Sequence, residues 1–373
     1  MTLALAEIRR HPGRFAAVTG ALALIMFLVL VLAGLSDGLW YGATGAIRHT
    51  DADLEVFSVD SLHVLTRSNL AGSDADRVRA VAGVADVGAI GVLLAPASVG
   101  GAVRDSALVG YAPGRPGSPP TIVDGRLPSP GEPGVAAADA TQRGRLRLGD
   151  TVTVEGASQP LRIVGFVDDA RFQLLPTLWT TVDSWRTIRD QVRPERRSRE
   201  ATVQALPVRL APGADPAQVA RAIDATLGST TTVPRDQAVL AIPGAAQMRA
   251  TFAQIIVTTF LVAALVVALF FALLTVEKRT LLAMLKALGA ANRRLAGGLL
   301  AQALLASAAG LVLGGLLAVA LAALLPATFP VLLRAPTAVV LIVAALLTAA
   351  TGVALSLRRV TRIDPALALG GIQ

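Results

Sequence analysis

Four long stretches without a charged residue constrain this chain more than any other feature of its sequence. About 20 apolar residues are enough to cross the hydrocarbon core of a bilayer as a helix. The uncharged stretches cover residues 15–36, 250–276, 295–333 and 335–357. Only 16% of all residues are charged, whereas soluble domains have about 25%. The sequence therefore predicts a multi-pass membrane protein.

The third stretch is too long for one span, and Pro326 and Pro330 predict that its helix ends near Leu325. The predicted fold class is a membrane α-helical protein with four transmembrane helices and a large mixed α/β extracytoplasmic domain between helices 1 and 2. The predicted segments are an N-terminal cytoplasmic segment (1–14), helix 1 (15–36), the α/β domain (37–249), helix 2 (250–276), a cytoplasmic loop (277–295), helix 3 (296–325), an external loop (326–334), helix 4 (335–357) and a cytoplasmic tail (358–373).

The distribution of charge predicts which side of the membrane each segment faces. Segments 1–14, 277–295 and 358–373 together carry eleven basic and three acidic residues, a net charge equal to the +8 of the whole chain. The positive-inside rule makes them cytoplasmic, with both termini inside a bacterial plasma membrane. The excess of positive charge thus reflects topology, and no nucleic-acid partner is predicted. The alternative of a cleaved signal peptide requires a shorter apolar run followed by an A-x-A site.

The domain between the first two spans reads as mixed α/β structure. It contains no cysteine, so packing alone must hold it. Its patterns predict two small αβ lobes flanking a β-rich middle, with an exposed loop at 189–200. The predicted strands are Leu54–Val59, Thr151–Glu155, Leu161–Val167 and Thr202–Leu210, and the predicted helices are 74–82 capped by Ser73 and a second one that starts at Pro216, is capped by Asp215 and ends at Gly228.

No group of residues in this domain has the pattern of a catalytic or metal site. His49 and His63 lack an acidic residue at ligand spacing, and no G-x-S-x-G elbow occurs. Three aspartate pairs are more typical of caps and turns than of cation binding: Asp51 and Asp53, Asp74 and Asp76, and Asp168 and Asp169. Trp179 and Trp185 fit either an apolar contact surface or buried packing. We predict no catalytic, cofactor-binding or metal-binding residue.

The spans themselves disfavour a secondary transporter or an aqueous pore. Charged residues inside membrane helices usually mark ion pathways, and the four stretches contain none. Gly310 and Gly314 form a G-x-x-x-G pattern, which permits close approach of a second helix. Dimer contact and packing within the chain are equally compatible with that pattern.

The loop between helices 2 and 3 predicts a short helix from Leu281 to Leu288, ending at Gly289. One face of this helix is apolar and is formed by Leu281, Leu282, Leu285 and Leu288. The charged residues near it are the basic Lys278, Arg279 and Lys286 and the acidic Glu277. Such a helix could lie on anionic lipid. Alternatively, its apolar ridge could enter a groove on a cytoplasmic partner.

The same loop carries a resemblance to a known family. The run from Glu277 to Ala290, EKRTLLAMLKALGA, resembles the signature REIGILRALGAS of FtsX-like permeases, the membrane subunits of MacB/LolCDE-type ABC systems. Residues 148–154 (LGDTVTV) with 163–167 (IVGFV) are similar to the periplasmic core pattern of that family, and 363–369 (IDPALAL) to its C-terminal pattern. Thr280 and Leu281 replace the Glu-Ile often found in the family.

The resemblance implies a function. The loop would be the coupling helix that contacts a cytoplasmic ABC ATPase, and the permease would work as a dimer with a second copy or a homologue. Nucleotide binding would fall to the partner, because G-x-x-x-x-G-K-[ST] is absent and neither lysine follows a glycine. The chain would not be an enzyme and would carry no cofactor itself. It would drive export or extraction of a lipid, lipoprotein, peptide or drug; the alternative is a non-transporting regulator of an extracellular cell-wall hydrolase.

Overall fold

The computed structural model describes residues 12–99, 102–119, 121–196, 200–277, 292–326 and 329–360. The chain divides into two compact units. The α/β unit is Leu39–Arg249, and the helical unit combines Met1–Gly38 with Ala250–Gln373. Two helices, α1 and α6 below, cross this division without a break.

The helices of the described residues are α1 (Pro12–Arg48), α2 (Asp74–Arg79), α3 (Val182–Val192), α4 (Pro216–Leu227), α5 (Arg235–Leu240), α6 (Ala245–Glu277), α7 (Asn292–Leu324) and α8 (Ala335–Val360). The strands are β1 (Leu54–Ser58), β2 (Leu70–Ala71), β3 (Val84–Val87), β4 (Ile90–Val99), β5 (Ala102–Tyr111), β6 (Thr121–Gly125), β7 (Val135–Asp139), β8 (Thr151–Val154), β9 (Leu161–Asp168), β10 (Thr177–Thr181), β11 (Thr202–Val203), β12 (Leu206–Leu210) and β13 (Thr230–Pro234).

The helical unit contains α7, α8 and most of α1 and α6. Within the described residues, three stretches are long and apolar enough to span a membrane: Phe15–Arg48, Ala245–Val266 and Leu305–Leu324. The corresponding apolar stretch of α8, Ala335–Thr348, is shorter, so the fourth span stays a prediction. Helix α7 ends at Leu324, which confirms the end predicted from Pro326.

Helix α1 supplies most of the core of the helical unit. Met26, Val29 and Leu30 are buried there against Ala318 of α7 and Leu341 of α8. Many other apolar side chains on these helices are exposed, including Leu24, Leu265 and Leu316. An outward-facing apolar surface is what a bundle in lipid requires, because lipid tails are themselves apolar.

A four-stranded antiparallel sheet joins the two ends of the α/β unit. Its strand order is β13-β1-β12-β3, and Leu54 of β1 lies opposite both Val208 of β12 and Pro234 of β13. Helices α2 and α4 cover one face of this sheet with Val78, Val219 and Ile223. The prediction of two separate lobes was therefore wrong. The segments before and after the middle pair with each other because neither alone has enough strands to bury its apolar face.

The middle of the unit is a seven-stranded mixed sheet with the order β6-β9-β7-β10-β5-β4-β8. Strand β8 pairs with both β4 and β9, so the sheet curls until its ends meet. The hairpin predicted from Thr151–Glu155 and Leu161–Val167 is confirmed by the antiparallel pairing of β8 and β9. Gly156 follows β8 with a φ of 83°, a conformation that glycine adopts without strain.

Other local predictions were confirmed or corrected at single elements. Asp215 caps α4 and Gly228 ends it in the left-handed conformation, as predicted. Ser73 precedes α2 but its side chain makes no capping bond. The predicted strand 202–210 is two strands, β11 and β12, in different sheets. The predicted loop 189–200 begins inside α3, which continues to Val192 because Trp185 and Ile188 bury its apolar face.

Both tryptophans of the middle segment are buried. Trp179 in β10 and Trp185 in α3 have no exposed surface, which confirms packing as their role. Gly91 and Gly110 are directly opposite each other on β4 and β5, and a Cβ on either would collide with the side chain of Trp185. The paired glycines form the slot that anchors α3 on the sheet.

Candidate functional site

Gly310 and Gly314 of α7 lie against α1 of the same chain. A Cβ atom on Gly314 would lie 2.5 Å from the carbonyl oxygen of Ala23, and one on Gly310 would lie 2.8 Å from Cβ of Leu22. The two helix backbones can approach this closely only because both positions lack a side chain. The G-x-x-x-G face of α7 is thus occupied by packing within the chain.

A small cavity lies among the four helices of the helical unit. Its volume is about 30 Å³, and its lining is mostly apolar, with Met26, Phe260 and Leu311 among the residues and Ser307 and Thr348 as polar exceptions. Sites for small organic ligands are about ten times larger or more. This cavity therefore has room for about one water molecule.

The segment before α8 is tied to α1 by polar contacts within the helical unit. Leu332 donates a backbone hydrogen bond to the carbonyl oxygen of Gly34, at 2.8 Å. The hydroxyl of Thr337 donates to Asp37 Oδ2 at 2.7 Å. Gly38 faces the backbone of Pro330 with no room for a Cβ. These contacts hold the end of the predicted first span against the predicted external loop.

The predicted coupling helix lies outside the described residues. Residues 278–291 include Lys278, Arg279, Leu281, Leu282, Leu285, Lys286, Leu288 and Gly289, while Glu277 is the last residue of α6. The assignment of these residues to ATPase contact stays a prediction.

The last turns of α1 are clamped inside the α/β unit by residues 168–175, the loop between β9 and β10. Three backbone hydrogen bonds join them: Ala46 N donates to Arg171 O at 2.9 Å, Gln173 N to Ala43 O at 3.0 Å and Leu174 N to Gly42 O at 3.0 Å. A helix normally satisfies these groups within itself. We name this arrangement, α1 residues 42–49 with loop 168–175, the helix clamp.

Glycine and strained backbone make the helix clamp possible. A Cβ on Gly45 would lie 2.6 Å from the carbonyl oxygen of Asp169, so only glycine lets the loop reach the helix. Asp169, Gln173 and Leu174 have positive φ angles of 46°, 50° and 65°. Each such conformation costs roughly 1 kcal/mol or more in a non-glycine residue and persists where surrounding contacts enforce it. The loop is thus held rigidly in a shape that fits the helix.

An ion pair and a histidine add polar side-chain contacts to the helix clamp. Arg48 Nη2 lies 2.5 Å from Asp169 Oδ1, with both side chains largely buried. Arg48 Nη1 lies 2.8 Å from His49 Nε2, and because arginine can only donate, that nitrogen accepts. His49 is then the neutral tautomer with its proton on Nδ1, which lies 3.1 Å from Asp169 Oδ2. Burial lowers the pKa of His49 more than Asp169 raises it, in agreement with a neutral ring.

Replacing Asp169 by asparagine is expected to weaken the clamp without changing its backbone preference, since both residues tolerate a positive φ. The charge pair is partly buried, so its removal should cost more than that of an exposed pair and less than that of a buried one. We expect the free energy of unfolding to fall by about 1–2 kcal/mol. Tryptophan fluorescence of the full chain during denaturation measures it. The control Asp76→Asn removes an exposed ion pair with Arg79 and should change stability by under about 0.5 kcal/mol. An equal loss in both variants would contradict the assignment.

Sequence patterns predicted only part of this site. The coupling loop and the two glycines of α7 stand out from their local patterns, whereas Asp169 lies 121 residues from Arg48 along the chain. Asp51 and Asp53 both contact β12: Asp53 accepts from Leu210 N and Asp51 pairs with Arg209. His63 packs near the ring of Phe57. Among the described residues, no three acidic or histidine side chains cluster as a metal site. The only sequence pattern that points to the helix clamp is the pair Gly42 and Gly45, three residues apart and shortly before Arg48.

Comparisons with known proteins cover almost the whole chain. The MacB-like periplasmic core domain matches residues 15–226, and the FtsX-like permease C-terminal domain matches 254–365. An uncharacterized ABC transporter permease of Mycobacterium bovis is 30% identical over 374 residues, 99% of each chain. Another, of Mycobacterium tuberculosis, is 28% identical over 387 residues, again 99% of each. The periplasmic region of MacB from Actinobacillus actinomycetemcomitans superimposes with a TM-score of 0.38 at 15% identity, covering 50% of this chain and 90% of that one.

Proposed function

The chain belongs to the FtsX/MacB-like family of ABC transporter permeases, and on that premise we propose that it transmits mechanical work. In this proposal, a separate cytoplasmic ATPase binds the loop 277–295, and ATP hydrolysis there moves the helices. The helices move the α/β unit on the other side of the membrane. No substrate passes between the helices of one chain.

One observation carries the proposal: α1 is a single helix from Pro12 to Arg48. Its first part forms the core of the helical unit through Met26, Val29 and Leu30. Its last turns are built into the core of the α/β unit through Ala46 and Ile47. A helix is stiff along its axis, so a displacement of its packed part is carried to the clamped end.

The interior of the helical unit supports transmission over conduction. The cavity of about 30 Å³ among the helices is mostly apolar. The uncharged spans offer no carboxylate for a proton or sodium pathway. The chain also lacks a P-loop, so the energy has to come from a partner that binds ATP and magnesium.

The remaining parts of the proposal follow the family. Two permease chains, identical or homologous, would act together with two ATPase subunits, and both termini would be cytoplasmic. The substrate would be a lipid, lipoprotein, peptide or drug that is handled outside the membrane rather than carried through this bundle. Activation of an extracellular cell-wall hydrolase is the alternative output of the same movement.

A charge on the apolar face of the predicted coupling helix tests the proposal. Leu285→Asp should cut co-purification of the ATPase subunit in mild detergent at least fivefold, because a carboxylate cannot enter an apolar groove unpaired. The control is Ala283→Asp, which introduces the same charge about half a helical turn away, on the opposite face. ATPase activity of the complex in lipid nanodiscs is the second measurement.

The outcomes separate the alternatives for this loop. Loss of the ATPase in Leu285→Asp but not in Ala283→Asp supports the docking helix. Retention of the ATPase and of its activity in both variants contradicts it and favours a helix that only lies on lipid. A purified permease chain that hydrolysed ATP alone would contradict the proposal as a whole.

A further inference from the structure

A polar pocket of the α/β unit plays no part in the proposed transmission of work. Its volume is about 430 Å³, within the range of small-molecule sites. It lies where the 3-10 turn 65–67 and strand β2 meet α3 and β11. The residues that line it include Arg67, Ser68, Asn69, Arg189, Thr202 and Gln204, and none of the described lining residues is acidic.

In three buried side chains of this pocket, the oxygen atom accepts a hydrogen bond from the protein, while the N–H or O–H group of the same side chain has no acceptor in the described part of the chain. Gln204 Oε1 accepts from Val92 N at 2.5 Å, which leaves its Nε2 group to donate. Ser68 Oγ accepts from Ser58 N at 2.9 Å. Thr202 Oγ1 accepts from Arg189 Nη1 at 2.8 Å. No acceptor for these remaining protons is found among the described residues. These three side chains line the pocket with donors, and a donor-lined pocket suits an acceptor-rich occupant.

The arginines give the pocket a positive charge. Arg189 is 8% exposed, and its Nε and Nη2 donate to Asp190 at 2.8 and 2.7 Å, which neutralises it and fixes its orientation. Its guanidinium also lies 4.8 Å from the ring centre of Trp185. Arg67 is exposed and forms no ion pair with any residue that the structure describes. One uncompensated guanidinium thus remains at the rim of a donor-lined pocket.

We propose that this pocket binds a small hydroxylated compound that carries one phosphate monoester group. The guanidinium of Arg67 matches two oxygens of such a group, while Ser68, Thr202 and Gln204 donate to the remaining oxygens. A soluble polyol phosphate and the headgroup of an anionic lipid share this chemistry. The site shares no residue with the helix clamp or with the predicted coupling loop, and it does not depend on the proposed transmission of work.

Calorimetric titration of the full chain in phosphatidylcholine nanodiscs with glycerol 3-phosphate tests the site. Binding should be saturable, and glycerol without phosphate should bind at least tenfold more weakly. Arg67→Gln should weaken binding at least tenfold, and Arg67→Lys should do so less because it keeps the charge. Gln204→Glu keeps an acceptor for Val92 N but replaces the donor by a carboxylate, so it should abolish binding. The control Arg221→Gln alters an exposed arginine of α4 and should leave binding unchanged.

A second arm identifies the source of the ligand. If phosphatidylglycerol nanodiscs reduce binding of the soluble probe, and Arg67→Gln removes that competition, the occupant is a lipid headgroup; without competition it is a soluble compound. Three results would overturn the proposal: no saturable binding of glycerol 3-phosphate, equal binding of glycerol, or wild-type affinity in both Arg67→Gln and Gln204→Glu. Thermal melting of each variant verifies that it is folded.

Discussion

Gly314→Leu is expected to destabilise the helical unit strongly, while Gly315→Leu one position further leaves it nearly unchanged. At Gly314 any Cβ would lie 2.5 Å from Ala23 O and 3.0 Å from both Met26 Cβ and Phe27 N. A leucine there forces α1 and α7 apart and breaks the core around Met26. Overpacking of this kind costs about 1–3 kcal/mol and occasionally more, and the close packing that it disrupts is one of the forces that associate helices in lipid.

The neighbouring glycine makes the comparison sharp. A Cβ on Gly315 would meet nothing within 4 Å, so leucine is expected to change stability by under about 0.5 kcal/mol there. Both variants add the same side chain to the same helix. The melting temperature and the folded fraction of the purified full chain in detergent are the measurements. Equal losses in the two variants would show that α7 does not cross α1 at Gly314.

Glu55→Gln is expected to stabilise the α/β unit at alkaline pH and to remove most of its pH dependence. Glu55 lies on β1 with 2% of its surface exposed and forms no ion pair with a described residue. Its nearest polar partner is Thr50 Oγ1 at 3.4 Å. Burial raises the pKa of Glu55 to about 8, from its ordinary value of 4.5.

The direction in which stability changes with pH follows from which state, folded or unfolded, keeps the Glu55 proton. Between pH 4.5 and 8 the folded state keeps the Glu55 proton that the unfolded state releases, so raising the pH favours unfolding. The stabilisation is complete below pH 4.5 and is lost as the pH rises through 8. With about 1.4 kcal/mol for each pKa unit, the loss is on the order of 5 kcal/mol. A glutamine has nearly the same shape but cannot ionise, so Glu55→Gln should not lose this stability at alkaline pH.

Tryptophan fluorescence is well suited to this measurement because all three tryptophans, Trp40, Trp179 and Trp185, belong to the α/β unit. Denaturation of the full chain at pH 5, 7 and 9 should show wild type losing stability with pH and Glu55→Gln nearly constant. The control Glu155→Gln alters an exposed carboxylate and should follow wild type. Parallel curves for Glu55→Gln and wild type would show that Glu55 ionises normally.

Local patterns predicted the parts of this fold that depend on local physics. The apolar runs predicted the four long helices, and Asp215, Pro216 and Gly228 predicted both ends of α4 because capping depends on adjacent residues only. The alternation in 151–167 predicted the β8–β9 hairpin for the same reason. The predicted coupling loop was recognised from its basic residues and its row of apolar residues.

Long-range pairing was beyond the reach of such patterns. The sheet β13-β1-β12-β3 joins strands about 180 residues apart, and nothing in either half specifies the other. Helix α1 continues past the predicted span because loop 168–175 supplies partners for its last turns, and that loop is distant in sequence. The polar pocket likewise depends on Gln204 reaching Val92. Contacts between residues that only the tertiary fold brings together could therefore not be predicted from sequence patterns.

The pairing of β1 with β13 has a consequence for how such permeases diversify. Because the first and last strands of the inserted segment are neighbours, the segment closes on itself and enters and leaves the host chain at two nearby points. A foreign insert with the same two neighbouring ends can replace it, provided that it also supplies partners for the last turns of α1. One membrane bundle can in this way acquire a different inserted domain by exchange of a single cassette.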